Sequence, residues 1–253
     1  MKKLLTIALL LAAVHAGAQT QIIAHRGYWD VEGSAQNSIS SLKNAIALGG
    51  VYGSEFDVWL AKDGEIILNH DEKYQDVVIE TAERKDLEPL RLKNGEPLPT
   101  LPQYIEVAKT QDKTKLILEI KSHSTKDADK AVAQAVVKII DKSGVADRVD
   151  YISFSEHICK ELIRLNPKHR VAYLSGDKSP QELKQEGYWG LDYNNNVLKK
   201  NPTWIKDAKK LGLTTNVWTV NKREDMQYFI EQGVDFITTD DPKLLKELLK
   251  IDN

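Results

Sequence analysis

The sequence predicts an α/β fold, a (β/α)8 TIM barrel with a small insertion after strand 2. Three observations carry this. Short apolar runs alternate with amphipathic stretches, and eight strand-like runs can be counted, the signature of parallel strands joined by helices. Many of the helical stretches close on glycine, as Gly49, Gly144, Gly187, Gly212 and Gly233 do, or open on a cap followed by proline, as Ser179-Pro180 and Asp241-Pro242 do. The chain of 253 residues suits one barrel. An open doubly wound sheet is the alternative, but no glycine-rich dinucleotide fingerprint follows the first strand.

The first residues stand apart from this rhythm. Lys2-Lys3, an apolar run over 4–14 and Ala16-Gly17-Ala18 match the basic, hydrophobic and small-residue parts of a secretory signal. The apolar run falls well short of the ~20 residues that span a bilayer. Residues 1–18 are therefore expected to be a signal peptide cleaved after Ala18. The mature domain, 19–253, is expected to be exported to the periplasm or the exterior without a stable membrane anchor.

The elements then follow in order. A strand at 22–25 ends in His25-Arg26-Gly27, and a helix at 38–48 follows. The second strand, 53–60, carries Glu55 and Asp57. Asp63-Gly64 is a hairpin signal between runs at 56–60 and 65–69, and His70-Asp71 closes that hairpin. A charge-rich segment over 84–96 comes next. We read about 61–99 as an inserted hairpin and lid ahead of a helix at 101–109, since long connections in compact domains are usually functional. Strands at 116–121, 150–155, 171–175, 190–193, 216–220 and 236–239 complete the eight. Helices at 125–142, 156–165, 180–185, 203–211, 223–231 and 242–249 lie between and after them.

Composition bounds the function. Thirty-five Lys+Arg against 37 Asp+Glu give a net charge of -2, which argues against a broad nucleic-acid surface. The sole cysteine, Cys159, cannot form an intrachain disulfide and reads as helix packing.

In a barrel the C-terminal ends of all strands share one mouth, where chemistry collects. Residues i and i+2 of a strand face the same side. Glu55 and Asp57 therefore project together, as do Glu119 and Lys121, with Phe56 and Ile120 on the opposite face. Three carboxylates inside an apolar barrel repel one another and are costly to desolvate. A hard divalent cation, Ca2+ or Mg2+, resolves this with oxygen ligands, and no Cys–His cluster with zinc spacing occurs. Taken singly, each group has a plainer reading. The acidic pair is a solvated strand face, Glu119 and Lys121 an intrastrand ion pair, His70-Asp71 a capped turn and Trp218 a core aromatic. Their common position at strand ends turns them into a site.

These residues resemble the glycerophosphodiester phosphodiesterase family. The matching pieces are His25-Arg26-Gly27, Asn37-Ser38, Gly53-Ser54-Glu55-Phe56-Asp57-Val58, Lys62-Asp63-Gly64, Asn69-His70-Asp71 and Pro99-Thr100-Leu101. Further on come Leu118-Glu119-Ile120-Lys121, Ser153-Phe154, Val217-Trp218-Thr219-Val220-Asn221 and Gly233-Val234-Asp235. The ordered set covers nearly the whole mature chain. The resemblance implies a TIM barrel that hydrolyses glycerophosphodiesters to glycerol 3-phosphate and an alcohol. It implies His25 and His70 as the acid/base pair, and Glu55, Asp57 and Glu119 as ligands of the divalent metal. Arg26 and Lys121 would hold the phosphate, and Trp218 would line the glycerol pocket. Asp71 is a supporting candidate. One departure stands out: where the family has Pro-Glu-Asn-Thr, this chain has Ala35-Gln36-Asn37-Ser38, which removes a charge near the phosphate and metal.

Three other functions fit parts of the pattern. An exported binding protein would capture glycerophosphodiesters without needing two histidines. A related phospholipase D-like barrel would take lysophospholipids, with Tyr188-Trp189 as a possible exposed aromatic grip. A retaining glycosidase would use Glu55 and Glu119 but leave His25, His70 and Lys121 without a task.

Overall fold

Strand order follows directly from the alternation seen in the sequence. The computed structural model describes residues 19–251, so the expected signal segment 1–18 lies outside the described residues. The chain opens with β1 (Gln21–Ala24), α1 (Ile39–Leu48) and β2 (Val51–Leu60). The insertion holds β3 (Ile66–Leu68), β4 (Lys73–Tyr74), β5 (Val77–Val78) and α2 (Arg84–Leu87), after which α3 (Leu101–Ala108) returns to the barrel. There follow β6 (Lys115–Ile120), α4 (Lys126–Ser143), β7 (Val149–Ser153), α5 (Glu156–Leu165), β8 (Arg170–Tyr173) and α6 (Pro180–Gln185). The last part runs through β9 (Gly190–Asn194), α7 (Asn195–Lys200), α8 (Trp204–Lys210), β10 (Thr214–Trp218), α9 (Arg223–Glu231), β11 (Phe236–Thr239) and α10 (Pro242–Leu249).

The sheet runs β1-β11-β10-β9-β8-β7-β6-β2, and β2 pairs back onto β1, which closes an eight-stranded barrel. Every one of these pairs is parallel. The expected hairpin is present: β3 lies antiparallel on the far end of β2, with Val58 opposite Leu68 and Leu60 opposite Ile66.

Outward-facing strand residues such as Ile22, Phe56, Val58, Leu118 and Ile120 are fully buried beneath the helices. Full burial of each such side chain stabilises the fold by about 1.5–3 kcal/mol. Inside the barrel a smaller cluster of Ile23, Ile117, Ile152, Ala172, Leu174 and Phe236 fills the middle. Below it, Asp150 accepts from the Tyr52 hydroxyl at 2.7 Å and pairs with Arg170 Nε at 2.6 Å, which closes the N-terminal end. The insertion carries its own core, including Trp59, Ile67, Ile79, Leu87 and Leu98, so it is a packed element at the rim.

Caps explain most helix starts. Ser38 accepts from Ser41 N, Thr100 and Gln103 cap each other's backbone, Ser179 and Glu182 do the same, and Asp241 accepts from Leu244 N. Two helices lie where the sequence reading places none: α2, a single turn inside the charge-rich segment 84–96, and α7. The run Asn194-Asn195-Asn196 looks like a turn, yet Asn194 caps α7 by accepting from Asn196 N. Tyr188-Trp189 is not an exposed pair. Tyr188 is 3% exposed, Trp189 is half-buried, and both sit before β9 at the closed end, away from the mouth. Cys159 is fully buried in α5, as packing requires. Among the described residues no helix is long and apolar enough to cross a membrane.

Candidate active site

The parallel register sets the acids side by side. Asp57 on β2 lies opposite Glu119 on β6, and Glu55 is two residues earlier on the same inner face. One carboxylate oxygen from each of the three lies within 4.8 Å of the others, and all three residues are buried. Glu55 Oε1 is buried with no hydrogen-bond partner. Burial, with Asp57 and Glu119 nearby, drives the Glu55 carboxyl well above its usual range despite Arg26. Glu119 is pushed up to about 7 by burial and by Asp57, against the pull of Lys121. Burial acts the same way on Asp57, but Lys121, His70, the Asn37 amide and Arg26 together hold it below the usual carboxylate range. Fully ionised, the three acids would carry one more negative charge than Lys121 and Arg26 offset, and burial with mutual repulsion makes Glu55 and Glu119 resist that state. An all-oxygen set with an orphaned buried oxygen fits a hard divalent cation.

Two cations border the triad. Lys121 Nζ lies 2.7 Å from Glu119 Oε1 and 3.3 Å from Asp57 Oδ1. Arg26 adopts φ 56, a left-handed backbone, and its N–H donates to Glu55 Oε2 at 2.7 Å. Its Nη1 donates to Gln36 Oε1 at 2.7 Å, and its Nε lies 3.8 Å from Asp57 Oδ2. Gly27 follows with φ 77 and packs so closely that an added Cβ would lie 2.3 Å from Ser41 Oγ. This turn carries the chain from β1 toward α1 and brings Asn37 under the triad. The Asn37 amide donates to Asp57 Oδ2 at 2.9 Å and accepts from Asp57 N at 3.0 Å, again at φ 56. Unusual backbone at two adjoining site residues marks strain that the surrounding hydrogen bonds maintain.

The two histidines are each tied by Nδ1 to a carboxylate. In β1 and β11 Ala24 lies opposite Thr239, so the next residues, His25 and Asp240, meet at 2.8 Å. Asp240 also accepts from Trp29 Nε1 and Asn221 Nδ2. His70 Nδ1 lies 2.7 Å from Asp71 Oδ1. A carboxylate can only accept, so each imidazole donates through Nδ1 and keeps Nε2 for exchange. Burial pulls the His70 imidazole below its ordinary pKa, helped by Lys121 and Arg26 and opposed by Asp57 and Asp71.

A cavity of about 100 Å³ joins His25, Arg26, Glu55, His70, Glu119 and Trp218. Trp218 donates from Nε1 to the Asp192 main-chain oxygen at 2.9 Å and meets Phe154 edge-on with ring centres 5.5 Å apart. A wider groove of about 610 Å³ leads outward from Arg26 and His70 past Trp29, Asp71 and Tyr74 to the insertion. All eight residues singled out by sequence therefore converge on the mouth. Sequence reading did not find Asp240, and it gave Asn37 no role beyond its place in a motif. Asp240 carried one signal: it directly follows a strand end, next to the strand that bears His25.

A family model described as the glycerophosphoryl diester phosphodiesterase family matches residues 15–244. Among curated relatives, the glycerophosphodiester phosphodiesterase of Caldanaerobacter subterraneus subsp. tengcongensis is 29% identical over 248 residues, which is 92% of this chain and 98% of that protein. The crystal structure of a glycerophosphodiester phosphodiesterase from Parabacteroides distasonis matches at TM-score 0.90 and 48% identity, over 92% of this chain and 97% of that one. A phosphodiesterase from Oleispira antarctica, solved with the product sn-glycerol-3-phosphate, shares the fold at TM-score 0.80 and 21% identity, over 92% of this chain and 97% of that one.

Proposed function

This chain belongs to the glycerophosphoryl diester phosphodiesterase family, and from that premise we propose that it hydrolyses glycerophosphodiesters to glycerol 3-phosphate and an alcohol, with a divalent metal and two histidines. The observation that carries the proposal is the meeting of three buried carboxylates and two carboxylate-held imidazoles at one cavity. Glu55, Asp57 and Glu119 would hold Ca2+ or Mg2+. When bound, such an ion supplies positive charge against a phosphate oxygen. Arg26 and Lys121 bind the phosphodiester anion and stabilise the charge that grows on it. One imidazole removes the proton from the attacking oxygen through Nε2, and the other protonates the departing alkoxide. The roles are complementary, so each histidine is needed in every turnover. The glycerol moiety occupies the cavity beside Trp218, and the leaving alcohol extends along the outer groove.

The test is turnover of glycerophosphocholine, read as glycerol 3-phosphate released, with and without a chelator. Chelation is expected to abolish turnover, and added Ca2+ or Mg2+ to restore it. His25→Ala and His70→Ala should each lose about 10²- to 10⁴-fold in kcat while folding normally. Full activity in either variant would refute the acid/base roles. Tight binding without turnover by the wild type would identify a capture protein instead.

A further inference from the structure

One buried carboxyl inside the barrel takes no part in the site described so far. Asp192 lies on β9, 2% exposed, and its Oδ1 is buried with no hydrogen-bond partner. It borders the same cavity as Glu119, Trp218 and Thr238. In the ladder it stands opposite Asn216 of β10. The Asn216 amide donates to Thr238 Oγ1 at 2.9 Å, and that hydroxyl donates back to Asn216 Oδ1 at 3.2 Å. The Trp218 indole is anchored on the Asp192 main chain. This wall of the cavity therefore presents the Asp192 carboxyl and the Thr238 hydroxyl beside the Trp218 ring, with the Asn216 amide bonded to Thr238 next to them.

The cost of this arrangement calls for an explanation. A buried acceptor without a partner loses about 1–3 kcal/mol relative to a satisfied one. An apolar side chain at this inward position would extend the inner cluster of Ile117, Ile152 and Ala172 with no such loss. Burial also pushes the Asp192 carboxyl up to about 7, with the Asn216 amide acting against it. No structural partner of Oδ1 accounts for its retention, whereas a ligand in the cavity would satisfy it.

We propose that Asp192 determines specificity for the glycerol moiety, with its Oδ1 pairing with a substrate hydroxyl that enters beneath Trp218. The inference rests on the proposed glycerophosphodiester substrate and names the group that reads its polyol end. A buried polar group of this kind rejects an analogue that lacks its partner far more strongly than an apolar wall can. The chain should therefore discriminate against diesters in which the glycerol has lost one hydroxyl.

The experiment is a substrate–variant cycle. Wild type, Asp192→Leu and Asp192→Ala are assayed on glycerophosphocholine and on the phosphocholine diesters of propane-1,2-diol and propane-1,3-diol. Wild type is expected to lose at least about tenfold in kcat/KM on one of the two deoxy substrates. Each variant should hydrolyse that substrate and glycerophosphocholine within about twofold of one another, with an unchanged melting temperature or a raised one. A folded variant that keeps the wild-type preference overturns the inference and assigns Asp192 a structural role. Binding provides an arm that needs neither variant nor turnover: wild type should bind sn-glycerol 3-phosphate at least about tenfold tighter than n-propyl phosphate. Equal affinity for the two overturns the inference as well. Failure of wild type to cleave any glycerophosphodiester refutes the proposed function, and the binding comparison repeated with Asp192→Leu, which should lose the preference for sn-glycerol 3-phosphate, still decides the role of Asp192.

Discussion

Replacing Asp240 with Asn separates charge from shape at the group that holds His25. Asp240 Oδ1 accepts from His25 Nδ1 at 2.8 Å and from Trp29 Nε1 at 3.1 Å, and Oδ2 accepts from Asn221 Nδ2 at 2.6 Å. Burial acts to raise the Asp240 carboxyl, but the His25, Asn221 and Trp29 donors outweigh it and hold the group ionised. An amide cannot serve all three donors. With its oxygen toward His25 and Trp29, its NH2 faces the NH2 of Asn221. Turned the other way, its NH2 faces the first two. Asn221 is not free to flip, because its Oδ1 already accepts from Asp240 N at 2.9 Å and Thr239 Oγ1 at 3.1 Å. Asp240→Asn therefore loses the carboxylate charge beside His25 and one hydrogen bond to a charged group, about 1.5–3 kcal/mol. At 1.36 kcal/mol per decade, kcat should fall about 10- to 150-fold, with KM little changed because the loss falls on the proton transfer proposed for His25. Asp71→Asn is the contrast. The Asp71 side chain is 77% exposed against 25% for Asp240, so solvent screens it and its loss should cost less than about fivefold. Steady-state turnover of glycerophosphocholine by both variants, with melting curves alongside, reads the difference. Asp240→Asn retaining wild-type kcat, or Asp71→Asn proving the more damaging, would refute the argument from burial.

Two further outcomes follow from the first turn of the chain. Gln36 accepts from Arg26 Nη1 at 2.7 Å, so Gln36→Glu adds a carboxylate beside the triad's cations. It should tighten divalent-metal binding by up to about fivefold, and unchanged calorimetric titrations would count against that. Gly27→Ala forces an L-residue to φ 77 and a Cβ against Ser41, at a cost of about 1–2 kcal/mol for the backbone and about 1–3 kcal/mol for overpacking. The melting temperature should drop by roughly 4–20 °C, whereas a shift of less than about 1 °C would mean that the turn relaxes freely.

The barrel was legible because period and punctuation agree along most of the chain. Pro180, Pro242 and the glycines that close the helices mark boundaries the hydrogen bonds respect, and the inward acids fall at i and i+2 on neighbouring strands. Ranges drifted where a strand runs on into polar residues, as at β10, which begins with Thr214 rather than at 216. The helix α7 was hidden because asparagine serves both turns and caps, and only the following backbone distinguishes them. The supporting groups were less visible than the groups they support. Nothing local marks Asp240 as a partner of His25, since the two are brought together by the β1–β11 register across 215 residues of chain. Asp192 is a sharper case. Between Leu191 and Tyr193, both fully buried beneath the helices, a lone acid in an apolar run points either to solvent or into the barrel. Barrel closure decides between these, because the inner face of β9 has no solvent to meet. A carboxyl forced inward with one oxygen unpartnered is therefore evidence about the ligand, and the strand pattern alone cannot supply it.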